Sequence, residues 1–486
     1  ASEAIEPDLI RIAPRLLEAD SAFVALQREV AKMVEHYRHS EETYDTAHLE
    51  VMFDQCEKQI DYLRRRGTGA GSGSSVKVAH LLERLQQTID RLKLLTNIQI
   101  EASRTRLTVN LMNAMIYAAV EQYSTSHLRK SSIRMLARSI TENKSHHGEH
   151  YITRNRSEYF KMFYSAAGGG VIIALMALNK IHIASLGFGE FTTSFLAGLN
   201  YGLGFMLIHM LHCTVATKQP AMTAASFAEQ VDSNEGSKAV DNKLAKLLID
   251  VCRSQSVAVF GNVSIAVLLA AGIAWGYAYT HGQPLLNEAV TAYQLKSIEI
   301  FTQPTLWYAA IAGVWLFCSG IIAGFFDNRS DYLNLRQRLP FNPFLRKIMR
   351  PQPRRRLAAY IHKHYGSLMG NFIFGMLLGM TGYFGHLFGL PLDIRHVAFS
   401  SANLGYAAIS GHADIFTFML GLASVLAIGM VNLVVSFSLA LAVALRSRGT
   451  RLGSMRNLLK SFWSQVKANP LILLYPVQVN NKDNAK

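Results

Sequence analysis

The sequence predicts an all-α polytopic membrane protein. Six transmembrane helices form three parallel hairpin repeats, preceded by a helical N-terminal cytoplasmic domain. Three observations predict this. Half of the 486 residues are hydrophobic and only 17% are charged, below the roughly 25% usual for soluble domains. Six apolar stretches reach the ~20 residues that a bilayer crossing needs. The net charge of +15 is unevenly placed: residues 1–150 hold 20 Lys/Arg and 20 Asp/Glu, so the whole excess lies in 151–486. A nucleic-acid-binding domain concentrates charge in its polar part, so nucleic acid is not the expected partner.

Residues 1–150 read as a coiled-coil-like helical domain. Leu49, Met52, Phe53, Cys56, Ile60 and Leu63 form one apolar stripe, and Val78, Leu81, Leu82, Leu85, Ile89, Leu92 and Leu95 form another. Both follow the 3–4 spacing of an amphipathic helix. "GTGAGSGSS" (67–75) between them is a flexible linker, and it lacks the Gly-Lys-Ser/Thr ending of a phosphate loop. A further helical region runs from about Leu107 to Ile140. The four cysteines (Cys56, Cys213, Cys252 and Cys318) form no C-x-x-C pair and read as buried free thiols.

The membrane domain covers 151–446, with spans near 163–186, 191–215, 257–279, 305–326, 367–390 and 414–445. Connections 216–254, 327–366 and the tail 446–486 hold 5, 10 and 8 Lys/Arg, whereas 187–190, 280–304 and 391–413 hold 0, 1 and 1. The positive-inside rule therefore places both termini in the cytoplasm, with 447–486 a basic cytoplasmic tail. "HVAFSSANLGYAAISG", within 391–413, is expected to be a re-entrant or interfacial segment on the outer face. The spans opening at "AAGGG", "VFGN" and "LMGN" suggest the three repeats. Gly168, Gly169, Gly170, Gly261, Asn262, Gly370 and Asn371 are expected at helix contacts there.

Several stretches carry chemistry. His146, Glu149 and His150 in "HHGEH" fit an inverted zinc-protease pattern, with a polar approach to the first span as the plainer reading. His209 and His212 lie one turn apart beside Cys213, a pattern suited to a soft metal or to bundle-facing histidines. In "ATKQPAMTAA", Lys218, Gln219 and Thr223 mark the second span's cytoplasmic exit, where a helix N-terminus suits a lipid phosphate. Asp393, Arg395 and His396 form an outer polar cluster, read as an ion pair or a ligand site. "PQPRRRLAAYIHKHYG" (351–366) reads as an anionic-lipid contact and topology signal. The sequence requires no cofactor.

"GEHYITRNRSEYFKM" followed by "AAGGG", "LNYGLGFM" followed by "ATKQPAMTAA", and "FGLPLDIRHVAFSSANL" together resemble the bacterial membrane family named site-specific recombinase (gonococcal type), over about 140–445. The resemblance implies an inner-membrane protein with a helical N-terminal region, and it brings no catalytic residues. A tyrosine recombinase needs an H-x-x-R beside its nucleophile, and none of the 17 histidines is followed by Arg at that position. Three functions remain in view. The first is a non-catalytic binding or transport module for a lipid or other anionic solute. The second is a scaffold joined to another envelope protein through residues 1–150. The third is DNA recombination, which the sequence disfavours. The bilayer and its anionic lipids are the expected partners.

Overall fold

The structure is a computed structural model. It describes residues 6–12, 16, 21–40, 44–66, 76–100, 104–122, 153, 155–215, 238–448, 455–473 and 475. The described chain is helical, and it divides into two units, 1–143 and 144–486.

The first unit contains α1 (Pro7–Ile12), α2 (Ala22–His39), α3 (Ala47–Arg66), α4 (Val76–Ile100) and α5 (Arg104–Gln122). The stripe Leu49, Met52, Phe53, Cys56, Ile60 and Leu63 is buried against Val78, Leu81, Leu82, Leu85 and Ile89. Phe23, Leu26 and Met33 of α2 complete that core. Leu92 lies at its edge and Leu95 is exposed. Beside the core, the Tyr44 hydroxyl donates to buried Glu29 at 2.7 Å. This bond, helped by Lys32 and His48, holds the Glu29 carboxyl below its ordinary range. It also pushes the Tyr44 phenol up to about 12. Burial raises the Cys56 thiol to about 12, so this thiol is inert at neutral pH. The linker 67–75 lies outside the described residues.

The second unit has six helices long and apolar enough to cross a membrane. They are α6 (Arg156–Ser185), α7 (Glu190–Met210), α8 (Lys238–His281), α10 (Thr305–Tyr332), α11 (Pro351–Phe388) and α13 (Ile415–Arg448). Between them lie α9 (Glu288–Ile298) and α12 (Val397–Ser410), and α14 (Met455–Ala468) follows. Two approach segments run unbroken into the spans: α8 begins at Lys238 and α11 at Pro351. Pro351 and Pro353 sit in the first turn of α11, where a missing N–H costs nothing. Asn155 caps α6, its side chain accepting from the Glu158 amide, as favoured at an N-terminus.

The spans pack in the order α6–α7–α11–α10–α13, and α8 returns to α6. Of the three expected hairpins α6/α7, α8/α10 and α11/α13, only α6/α7 packs directly, while the consecutive spans α10 and α11 pack on each other. The short helix α12 packs on α6, α8, α9 and α13. Twelve of its fourteen residues are buried, which excludes an interfacial helix with one wet face. At ~21 Å it is also too short to cross a bilayer core of ~30 Å. Both ends of the 390–411 segment meet the same connection, 282–307. The Trp307 indole donates to the Pro391 carbonyl at 3.0 Å, and the Leu286 amide donates to Ser410 Oγ at 3.3 Å. The chain therefore enters the bundle as an extended strap and leaves it as a helix on the same side. His386 pairs with Glu190 at 2.7 Å, placing the end of α11 beside the start of α7 at that same end.

Buried Arg253 gathers three segments at the other end. It meets Asp250 at 2.7 Å, the Ile472 carbonyl at 3.3 Å, and the Thr153 carbonyl.

Candidate functional site

Two polar regions lie at opposite ends of the second unit. At the end where the 390–411 segment enters, Arg395 Nη1 meets Asp393 Oδ2 at 2.6 Å. Its Nε donates to the Ser297 carbonyl at 2.7 Å, and its guanidinium lies over the Tyr308 ring. The pair is committed to fixing the strap. His396 is the N-cap of α12; it is buried among Phe205, Phe374 and Phe399, with ring centroids 5.8–6.4 Å away. Asn432 completes this lock. Its Oδ1 accepts from the Val397 amide at 3.1 Å, and its Nδ2 donates to the Ala309 and Arg395 carbonyls.

At the other end, the turn after α7 is tied back onto α6. Ser165 Oγ donates to the His212 carbonyl, and the Thr214 amide donates to the Ser165 carbonyl at 3.0 Å. Asn262 donates to the Thr214 carbonyl at 2.9 Å and to that of Ala166, joining α8 to both. A Cβ on Gly170 would come within 2.8 Å of the Asn262 carbonyl, and one on Gly261 within 2.9 Å of the Phe163 carbonyl. Gly169 faces the Thr214 carbonyl, Gly168 faces Cys213, and Gly370 faces Ser319 and Ala323. Asn371 is buried on α11.

His209 and His212 do not converge. His212 is exposed in a left-handed turn, φ 56°. His209 instead bonds His364 of α11, Nε2 to Nδ1 at 3.1 Å, with Tyr360 stacked on His364. Among the described residues no cluster of three or more His, Cys, Asp or Glu is placed to hold a metal. His146, Glu149, His150, Lys218, Gln219 and Thr223 lie outside the described residues.

One concavity at this end was not singled out from the sequence. Asn334, Arg336, Gln337, Pro340, Phe341, Arg354, Arg355, Ala359 and His362 line about 760 Å³. The connection after α10 folds over the first turns of α11, bringing Arg336 to Arg354 and Arg355. His362 is held by Ser330, whose hydroxyl lies 2.9 Å from Nδ1. No carboxylate occurs among the described lining residues, and Arg354 Nε is buried without a partner. Like charges gathered around one concavity repel one another; an anion supplied from outside offsets that repulsion through paired charge-assisted bonds.

A family model described as "Site-specific recombinase" matches residues 1–476. The chain belongs to the site-specific recombinase family. No curated protein and no solved structure matches it. For this family member, the match extends through the arginine pocket and through the whole helical bundle.

Proposed function

We propose that this recombinase-family chain is a non-catalytic inner-membrane module that binds, or binds and moves, a lipid or other anionic solute. The supporting observation is the concavity lined by Arg336, Arg354, Arg355 and His362, with no carboxylate among its described walls. Each charge-assisted bond to an anion contributes about 1.5–3 kcal/mol, so two arginines give roughly 10²-fold or more in affinity. The solute is expected to co-purify with the protein and be identified by mass spectrometry. Arg354→Gln/Arg355→Gln should lower its occupancy at least tenfold while the protein stays monodisperse. Equal occupancy in the double variant would end this reading.

The pocket lies on the cytoplasmic side in this proposal, because the basic connections mark that side. The sequential pairs α6/α7, α8/α10 and α11/α13 are three parallel repeats in sequence, the last two opened by a helix that continues into the span. Topology has its own test, in a background with the four native cysteines replaced. Lys296→Cys should react with an impermeant maleimide in intact cells and Ser447→Cys should not. Labelling at Ser447→Cys overturns the orientation.

The family's name suggests DNA strand exchange. The sequence has no H-x-x-R, and the uncovered arginines stand beside the ends of membrane-length helices, so binding within the membrane is preferred. A scaffold role would rest on residues 1–150 and an unidentified envelope partner.

A further inference from the structure

The pocket has a neighbour that a soluble anion does not need. Phe341 lines the concavity and is 67% exposed. Phe344 and Ile348, one turn apart on the short helix Pro343–Ile348, are 68% and 63% exposed. Three large apolar side chains thus stand uncovered along the connection that walls the pocket. Arg346, Lys347 and Arg350 are interleaved with them. This ridge lies between the apolar part of α10, which ends at Asp327, and the start of α11 at Pro351.

Apolar ridges bordered by cations belong at the level where acyl chains meet headgroups. Elsewhere in water such a patch would cost free energy in proportion to its area. The pocket itself is far larger than a bare phosphate and within the range of small-molecule sites. Its donors are three planar guanidinium forks, an imidazole and the Gln337 amide nitrogen. Gln337 already fixes its own orientation, its Oε1 accepting from Asn334 at 3.2 Å. Donors contributed by two elements, the connection after α10 and the start of α11, suit the several oxygens of a phosphate ester.

We infer that the occupant is a phosphate-ester amphiphile of net negative charge. Its headgroup phosphate sits among Arg336, Arg354 and Arg355, and its chains lie across Phe341, Phe344 and Ile348. This rests on the binding role proposed above and names the class of ligand for that site.

The test compares three probes on the purified full chain, by native mass spectrometry from detergent. They are dioctanoyl phosphatidylglycerol, its chain-free headgroup glycerophosphoglycerol, and dioctanoyl phosphatidylcholine. The phosphatidylglycerol is expected to bind at least tenfold more tightly than either other probe. Phe341→Ser/Phe344→Ser should weaken it about tenfold and leave the chain-free headgroup unchanged. Arg354→Gln/Arg355→Gln should weaken both. If the chain-free headgroup binds as tightly as the lipid, the anion site stands and the amphiphile inference falls. If the lipid binds equally well with and without the arginines, the proposed binding role falls with it.

Discussion

Gly375→Leu is expected to abolish the folded membrane unit. α7 and α11 form one of the closest crossings in the bundle, and glycines carry it. A Cβ on Gly375 would run into the backbone of Gly202 and Tyr201, and one on Gly379 into Gly198 and Ala197. From the other side, a Cβ on Gly202 would stand 2.8 Å from the Phe372 carbonyl oxygen. These obstacles are main chain, which cannot swing aside as a side chain can. Gly198/Gly202 and Gly375/Gly379 are thus two small-x₃-small faces laid against each other, the arrangement that lets membrane helices approach closely. Ordinary overpacking costs about 1–3 kcal/mol. Forcing two backbones apart sits at the top of that range or beyond, against a total stability of about 5–15 kcal/mol. The seam also sets Phe205 against Phe374, centroids 5.1 Å apart, and so the walls around His396. Size-exclusion chromatography should show no monodisperse Gly375→Leu protein, and Gly375→Ala should melt several degrees lower. Gly276 on α8 has open space around it, so Gly276→Leu should behave as the parent does. A monodisperse Gly375→Leu with the parent's melting curve would disprove the seam.

The second large effect is expected at Asn432. Its fully buried side chain serves three backbone groups from two other segments: the Val397 amide, and the Ala309 and Arg395 carbonyls. Asn432→Leu keeps the approximate volume and removes every one of those bonds. Each buried group left unsatisfied costs about 1–3 kcal/mol. The start of α12 should therefore come loose before the bundle melts. Hydrogen exchange at Val397–Phe399 should accelerate at least tenfold, and the melting temperature should fall. Asn432→Asp, which retains the acceptor for Val397 but sets a buried carboxyl against the Ala309 and Arg395 carbonyls, should destabilise at least as much. Parent-like protection at Val397 in the leucine variant would mean that the capping bond is not what holds α12.

Much of the architecture is legible because it follows a period or a length. The stripe from Leu49 to Leu63 becomes core since every third or fourth residue of an amphipathic helix faces the same way. The spans are legible from apolar length alone. α12 carries a weaker signal: "VAFSSANLGYAAIS" is small and mildly apolar all round, as suits a helix covered on every side. The α7–α11 seam was readable in principle, since "GLNYG" and "GMLLG" both have the x₃ spacing. The glycines at the openings of spans lie instead on the α6–α8 and α10–α11 contacts and against the turn after α7. The His209–His364 bond and the arginine pocket have no local signature. Their residues are brought together by the crossing of α7 with α11 and by the fold of the connection after α10. In one dimension Arg354 and Arg355 look like any basic flank of a span; only the bend that returns Arg336 to them makes a cavity.

The lock on α12 has a consequence for biogenesis. Asn432, which fixes the strap, belongs to the last span, so it leaves the ribosome after the strap and α12 have been made. Until α13 arrives, the Val397 amide and the Arg395 carbonyl lack the partner that Asn432 supplies, and the face of α12 that meets α13 stays uncovered. A nascent chain stalled before α13 would therefore present an unfinished bundle to membrane proteases.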